Sequence, residues 1–241
     1  MQTRRFRAAQ PAPSSYFVSR VIVETLKHTR SDETLSISEI ADRAKTTNEQ
    51  VALILGPLLQ LEDPTGARLT NSARFTLAFE AVRHGGLKQV ARALTWQEFE
   101  AFTEECLQTV GFDTQKGLIV KDDFRRWQID VIAKKSPMIL AIDCKHWESP
   151  GYESKLSNAA EHQKLAVQAL IQQMGERGEV GREGLLVLPM ILTLFEPRAR
   201  MVGGVVVVSI EQFGDFLERV SPFSSELPFV PAQSIVKSSM S

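Results

Sequence analysis

The apolar positions of this chain follow a helical period up to about residue 90. From Thr95 onward, helical and strand-like segments alternate. Apolar residues at 18, 21, 22 and 26 predict a helix over Tyr16–His28. Ser36-Ile37-Ser38-Glu39 reads as a capping box, with serine at the N-cap and glutamate three residues later, and predicts a short helix over Ile37–Ala44. Thr46-Thr47-Asn48-Glu49 offers a second such box. The helix after it carries Val51, Ile54, Leu55, Leu58 and Leu59 on one stripe. Asp63-Pro64-Thr65-Gly66 is a turn, and Ala67–Thr70 a short extended piece. Phe75–Val82 then predicts a fourth helix, stopped by Gly85-Gly86. Leu87–Leu94 is a linker or a short helix.

Thr95 opens the second pattern as an N-cap, with Glu98 at the third helical position completing a capping box. The helix buries Phe99, Phe102, Cys106 and Val110, and Gly111 ends it. Phe112–Gln115 opens a strand, which Gly117–Val120 either continues or leaves for a loop. Lys121-Asp122-Asp123 is a turn. Two strands follow, Phe124–Ala133 and Met138–Trp147, joined at Ser136-Pro137. Ser149-Pro150-Gly151 breaks the chain, and Asn158–Met174 is a long amphipathic helix. Gly184–Leu194 and Met201–Ile210 are Val/Leu/Ile-rich runs that suit strands buried on both faces. Glu211–Val220 closes with a helix.

From Thr95 the order is helix, three strands, helix, strand, strand, helix, an α/β layer arrangement. In the first half, two short capped helices with a tight connection read as helix-turn-helix, and the turn and extended piece after them look like a wing. That half is similar to winged-helix DNA-binding domains. If it reads DNA, the helix from about Thr47 is the reader, with Lys45, Thr47, Asn48 and Gln50 facing outward and Arg68 and Arg74 holding phosphates. No Arg or Lys follows Lys45 on that helix. The expected organisation is a flexible arm over 1–15, the winged-helix-like domain over 16–90, an α/β domain over 95–220, and a flexible tail over 221–241.

Composition narrows the setting. The net charge of −1 argues mildly against a chain coated in nucleic acid. Residues 1–94 carry thirteen Lys/Arg against nine Asp/Glu, and the remainder fifteen against twenty, so the first part is mildly basic and the second mildly acidic. No apolar run is long enough for a membrane span. Arg4, Arg5 and Arg7 are not followed by an apolar stretch, so a secretory leader is not expected. Two cysteines give no disulfide framework, and a reducing cytoplasm is the expected location.

The candidate chemistry sits at the end of Ile139-Leu140-Ala141-Ile142-Asp143-Cys144-Lys145-His146-Trp147. Alternation along a strand puts Asp143 and Lys145 on one face and Cys144 on the other, as an inward-packed group rather than a nucleophile. A second acid, Asp130, lies between Ile129 and Val131, where a carboxylate is costly to bury without a partner or a metal. Hard Mg²⁺ takes oxygen ligands and keeps several waters, so Asp130 and Asp143 are candidate metal ligands. No second His or Cys stands at zinc spacing from His146 or His162. Arg125 and Arg126 either grip a phosphate or are edge-strand charges.

These residues, together with Phe99-Glu100 and Gly111-Phe112 upstream, resemble the PD-(D/E)xK nuclease superfamily, and its Mrr-like restriction endonuclease branch most closely. Ile129 stands where the superfamily's name has proline. The resemblance covers roughly Thr95–Val220. It implies a restriction-endonuclease-like αβββαβ core, a central mixed sheet flanked by helices, preceded here by the small winged-helix domain. It implies Glu100 at the edge of the site, reaching the metal through water, and the Cys144 backbone carbonyl as a further ligand. Lys145 would orient or help deprotonate the attacking water, and Gln163, with Lys164 a weaker candidate, would face the site. The implied activity is Mg²⁺-dependent (Mn²⁺ substituting) cleavage of DNA, with a homodimer as a family expectation. Two alternatives remain open on the residues. One is a DNA-binding regulatory protein whose nuclease-like domain is inactive and dimerises; the other is a Holliday-junction-type resolvase.

Overall fold

The computed structural model describes residues 14–147, 153–177 and 184–232. The chain divides into two compact units, Met1–Ala93 and Leu94–Ser241. The expected arm over 1–15 and the break at Ser149-Pro150-Gly151 fall outside the described residues, except for Ser14 and Ser15.

The first unit is helical, with α1 (Ser15–His28), α2 (Ile37–Arg43), α3 (Asn48–Leu59), α4 (Asn71–Arg83) and α5 (Leu87–Ala93). Ser14 caps α1 by accepting the Phe17 N–H. Val21, Ile22 and Leu26 of α1, Val51 and Leu55 of α3, and Leu77 and Ala81 of α4 are fully buried. The N-cap of α3 is Thr47, bonded to the Gln50 N–H, one residue later than the box at Thr46 predicted. The short extended piece at Ala67–Thr70 is reduced to a single antiparallel bridge, Thr34 to Arg68.

The second unit is built on one mixed sheet with helices against it. Its elements are α6 (Trp96–Thr109), β1 (Asp113–Lys121), β2 (Arg126–Lys135), β3 (Met138–Lys145), α7 (Glu153–Glu176), β4 (Leu186–Thr193), β5 (Met201–Val202), β6 (Val205–Ser209), α8 (Ile210–Arg219) and β7 (Val230–Pro231). The strand order is β1-β2-β3-β4-β6-β5. β1, β2 and β3 are antiparallel, β3 to β4 and β4 to β6 are parallel, and β5 to β6 is antiparallel. β1 runs through Gly117, whose φ of +61° is accessible to glycine at no steric cost. The capping box of α6 forms as predicted: Thr95 N–H donates to Glu98 Oε2 at 2.8 Å, and Glu98 N–H to Thr95 Oγ1 at 3.2 Å. Its buried stripe is Phe99, Phe102, Thr103 and Leu107; Val110, expected inside, is exposed.

Two further segments depart from the sequence reading. Met201–Ile210 is a hairpin followed by the first residue of α8, because Gly203 and Gly204 both take positive φ (58° and 81°) and turn β5 back on β6. Residues 221–232, expected in a flexible tail, return to the sheet. β7 pairs antiparallel with β4, the Ala232 N–H donates to the Leu185 carbonyl at 2.9 Å, and Ala232 is fully buried. Residues 233–241 of that tail lie outside the described chain.

β4 therefore divides one edge between two partners. β3 pairs with all of Leu186–Thr193, while β7 takes Leu186 and Val187 and β6 takes Met190–Thr193. Pro189 stands at the junction, where the missing N–H costs neither ladder a bond.

Candidate active site

Two strands and two helices of the second unit bring the chemistry together. β2 and β3 pair from Lys135–Met138 to Val131–Ile142, and there the ladder stops. Beyond it, the Cys144 N–H donates to Asp130 Oδ2 at 2.8 Å, so a carboxylate from β2 occupies the place of a strand carbonyl. This carries Asp130 to the end of β3, beside Asp143. Lys145 Nζ donates to Asp143 Oδ1 at 2.7 Å. Asp143 is buried, and its Oδ2 has no partner among the described residues. Glu100, on α6, completes the acidic cluster.

The electrostatics show the strain of this grouping. Burial, then the neighbouring Asp130 and Asp143, push the Glu100 carboxyl up to about 7; Lys116 and Lys145 pull the other way. Burial and the Asp143 charge push Asp130 up to about 6, against the lowering effect of the Cys144 N–H. Lys145 is the ammonium that pairs directly with one of these three carboxyls, and Lys116 acts on Glu100. Cys144 is pushed well above the ordinary thiol value by burial and the nearby acids, and its Sγ lies 3.9 Å from Thr103 Oγ1, so it is no nucleophile.

Gln163 on α7 is fully buried and donates to the Ala141 carbonyl at 2.7 Å, two residues before Asp143; its Oε1 is a second orphaned acceptor. Lys164 is exposed and pairs with Glu161. Arg125 and Arg126 are exposed at the β1–β2 turn.

A cluster beside these acids escaped the sequence reading. The Trp127 ring is buried, with the Arg125 guanidinium 3.4 Å from its centroid and the His162 ring edge-on at 4.9 Å. His162 is held below its ordinary value by burial and by the Lys145 and Arg125 cations, which places it within electrostatic range of the site. Asp122 accepts N–H groups from Phe124 and Arg125 at 2.8 Å each and the Trp127 indole N–H at 2.6 Å. The turn at Asp122 was legible from residue type; the packing of α7 against that turn was not.

In the first unit the candidate DNA contacts separate. Lys45, Thr47, Asn48, Gln50 and Arg68 are exposed. Thr47 and Gln50 cap α3, Gln50 also bonds Thr46, and Arg68 Nε donates to the Asp32 carbonyl at 2.7 Å. Arg74 is not available to a phosphate. It is 1% exposed and donates to the carbonyls of Thr29 and Leu26 and to Thr29 Oγ1. Its place on the inner face of α4 closes the C-terminal end of α1.

Residues 91–193 match a family model, Mrr_cat, described as a restriction endonuclease. This restriction-endonuclease-like region spans α6 through β4 and so contains Glu100, Asp130, Asp143, Lys145 and Gln163. An uncharacterized protein of Archaeoglobus fulgidus is 24% identical over 138 residues, covering 57% of this chain and all of that one. A crystal structure of a protein of unknown function is 20% identical over 41% of this chain and 47% of its own, with a TM-score of 0.32. A crystal structure of a Vibrio cholerae protein is 12% identical over 85% of this chain and 49% of its own, with a TM-score of 0.39. The chain spans about half the length of these two solved structures.

Among the described residues, no three His, Cys, Asp or Glu side chains form a ready-made metal cage. The donor set nonetheless fits a hard divalent cation, which takes one or two carboxylates and completes its shell with water and substrate oxygens. The orphaned Asp143 Oδ2 and the two carboxyls raised by burial and mutual repulsion fit such a cation.

Proposed function

We propose that the second unit is a divalent-metal-dependent DNA endonuclease. The observation that carries this reading is the buried, unpartnered Asp143 Oδ2, paired only through its other oxygen to Lys145 and set among three carboxyls, inside the region that matches the restriction endonuclease family. Asp130, Asp143 and the Cys144 carbonyl would hold Mg²⁺ or Mn²⁺, with Glu100 reaching it through water. When bound, the ion would polarise the phosphate and make bound water a better nucleophile. Lys145 would orient the attacking water and offset charge on the phosphate. Gln163 fixes the Ala141 carbonyl and, through β3, the position of Asp143.

In the same reading the first unit contributes phosphate contacts from Lys45 and Arg68, with Asn48 near the start of α3. One observation favours a different use of that unit. The solvent face of α3 and the turn after it carry Leu53 and Leu61, both exposed, alongside Glu49 and Glu62 rather than further basic residues. That surface suits a protein partner better than a phosphate backbone.

Plasmid cleavage with Mg²⁺ or Mn²⁺ tests the proposal. Nicking or linearisation should require metal and vanish in Asp143→Ala and Lys145→Ala. Cleavage confined to four-way DNA would redirect the reading to a junction resolvase. DNA binding without cleavage on either substrate would sink the nuclease in favour of a binding protein.

A further inference from the structure

The β1–β2 turn displays one residue without an inward role. Phe124 is 93% exposed, although a phenylalanine side chain gains by burial. Its backbone is not loose. Asp122 accepts the N–H groups of Phe124 and Arg125, and its own N–H donates to the Arg125 carbonyl at 3.1 Å. Three N–H donors hold its carboxyl below the usual carboxylate range. The turn is anchored inward by the Trp127 indole N–H on the other Asp122 oxygen. The Arg125 guanidinium sits over the Trp127 ring, 3.4 Å from its centroid, and the residue stays exposed. Arg126 is exposed beside it and pairs across the hairpin with Lys121. Asp123 is the one opposing charge at the tip that Asp122's bonds do not engage.

The tip is also tied to the acids. Trp127 contacts His162, which senses both Lys145 and Asp130. Phe124 precedes Asp130 by six residues, a reach of at most about 20 Å along a strand. On duplex DNA that is about six base-pair steps.

We propose that Phe124 is a wedge that enters a base step of bound duplex DNA within a few base pairs of the cut phosphate, with Arg125 and Arg126 on the flanking phosphates. This rests on the nuclease reading for its substrate and deepens it. A rigid turn loses little entropy when its aromatic ring leaves water for a base stack, and flanking guanidiniums supply the charge complement that a lone exposed phenylalanine lacks. The consequence is a preference for deformable steps and for duplex already weakened by a mismatch.

The test uses the full chain and staggered duplexes carrying 2-aminopurine, whose fluorescence rises on unstacking. It is run with wild type and in the cleavage-dead Asp143→Ala background. Saturating protein should raise the signal at one or a few positions in both. Phe124→Ala should abolish the rise and weaken binding about tenfold, the scale of one base–aromatic stack. Phe124→Trp should retain the rise, which separates loss of the ring from a disturbed turn. Arg125→Ala with Arg126→Ala should weaken binding and its salt dependence while leaving the rise at saturation. An unchanged signal in Phe124→Ala, or no rise with wild type, overturns the wedge. Plasmid cleavage measured in parallel keeps the two readings apart. Metal-dependent cutting without unstacking removes the wedge alone, and unstacking without cutting removes the nuclease alone.

Discussion

Lys145 Nζ holds Asp143 Oδ1 at 2.7 Å, and the other oxygen of that carboxylate is buried without a partner. The pair is therefore half a site. Removing the ammonium leaves a buried charge beside two other acids, so Lys145→Met should cost roughly 1–3 kcal/mol of stability without metal. It should also lower cleavage by about a hundredfold or more. Asp143→Asn should abolish cleavage yet leave stability unchanged or improved, since it relieves repulsion. Urea unfolding and plasmid cleavage on the same preparations check both, and a stable, active Lys145→Met would refute the assignment.

Glu100 and Asp130 titrate near 7 and 6 in the folded chain, above ordinary values of 4.5 and 3.8. The folded state thus binds protons more tightly than the unfolded one. Stability from these groups is present at low pH and lost as pH rises from about 4 through 7. Melting temperature of the metal-free protein should fall over that window, and Glu100→Gln should flatten the upper part of the decline. Added Mg²⁺ should restore more at pH 7.5 than at pH 5.5, because protonated carboxyls are poor ligands. A metal effect independent of pH would contradict the cluster as the binding site.

Arg74 separates a structural from a nucleic-acid role. Arg74→Ala removes three bonds to the C-terminal end of α1 and opens a buried gap, and should cost roughly 2–4 kcal/mol. DNA affinity per folded molecule should not change, whereas Arg68→Ala should weaken it slightly and reduce the salt dependence. Denaturant unfolding followed by fluorescence anisotropy at two salt concentrations distinguishes them.

Gln163→Leu tests positioning. The change loses the bond to the Ala141 carbonyl but also removes the orphaned Oε1, so stability should shift by no more than about 1 kcal/mol. Because Gln163 is fully buried, its loss should lower kcat with little effect on KM. A large rise in KM would mean that the side chain meets substrate directly.

Much of this layout was legible in the chain itself. Thr95 and Glu98 announced α6, Ser136-Pro137 announced the β2–β3 turn, and Asp130 was conspicuous as a carboxylate inside an apolar strand. What escaped depended on contacts between distant segments. Arg74 reads as a surface cation until α4 is docked on α1. The Gly203-Gly204 turn was hidden by valines on both sides. β7 offers only two paired residues, too few for any periodicity to reveal. Arg125 and His162 were weighed separately in the sequence, but His162 meets Trp127 only because α7 crosses the start of β2.

The divided edge of β4 has a consequence for the order of synthesis. Leu186 and Val187 leave a ribosome more than forty residues ahead of Val230 and Pro231, the segment that covers them. Until then a growing chain carries β3 and its acids beside a strand whose backbone is half bare. The two-residue strand β7 is in effect a latch. Shortening the chain before Val230 should yield a protein that can assemble the acids but presents an open strand edge, prone to pair with another copy of itself.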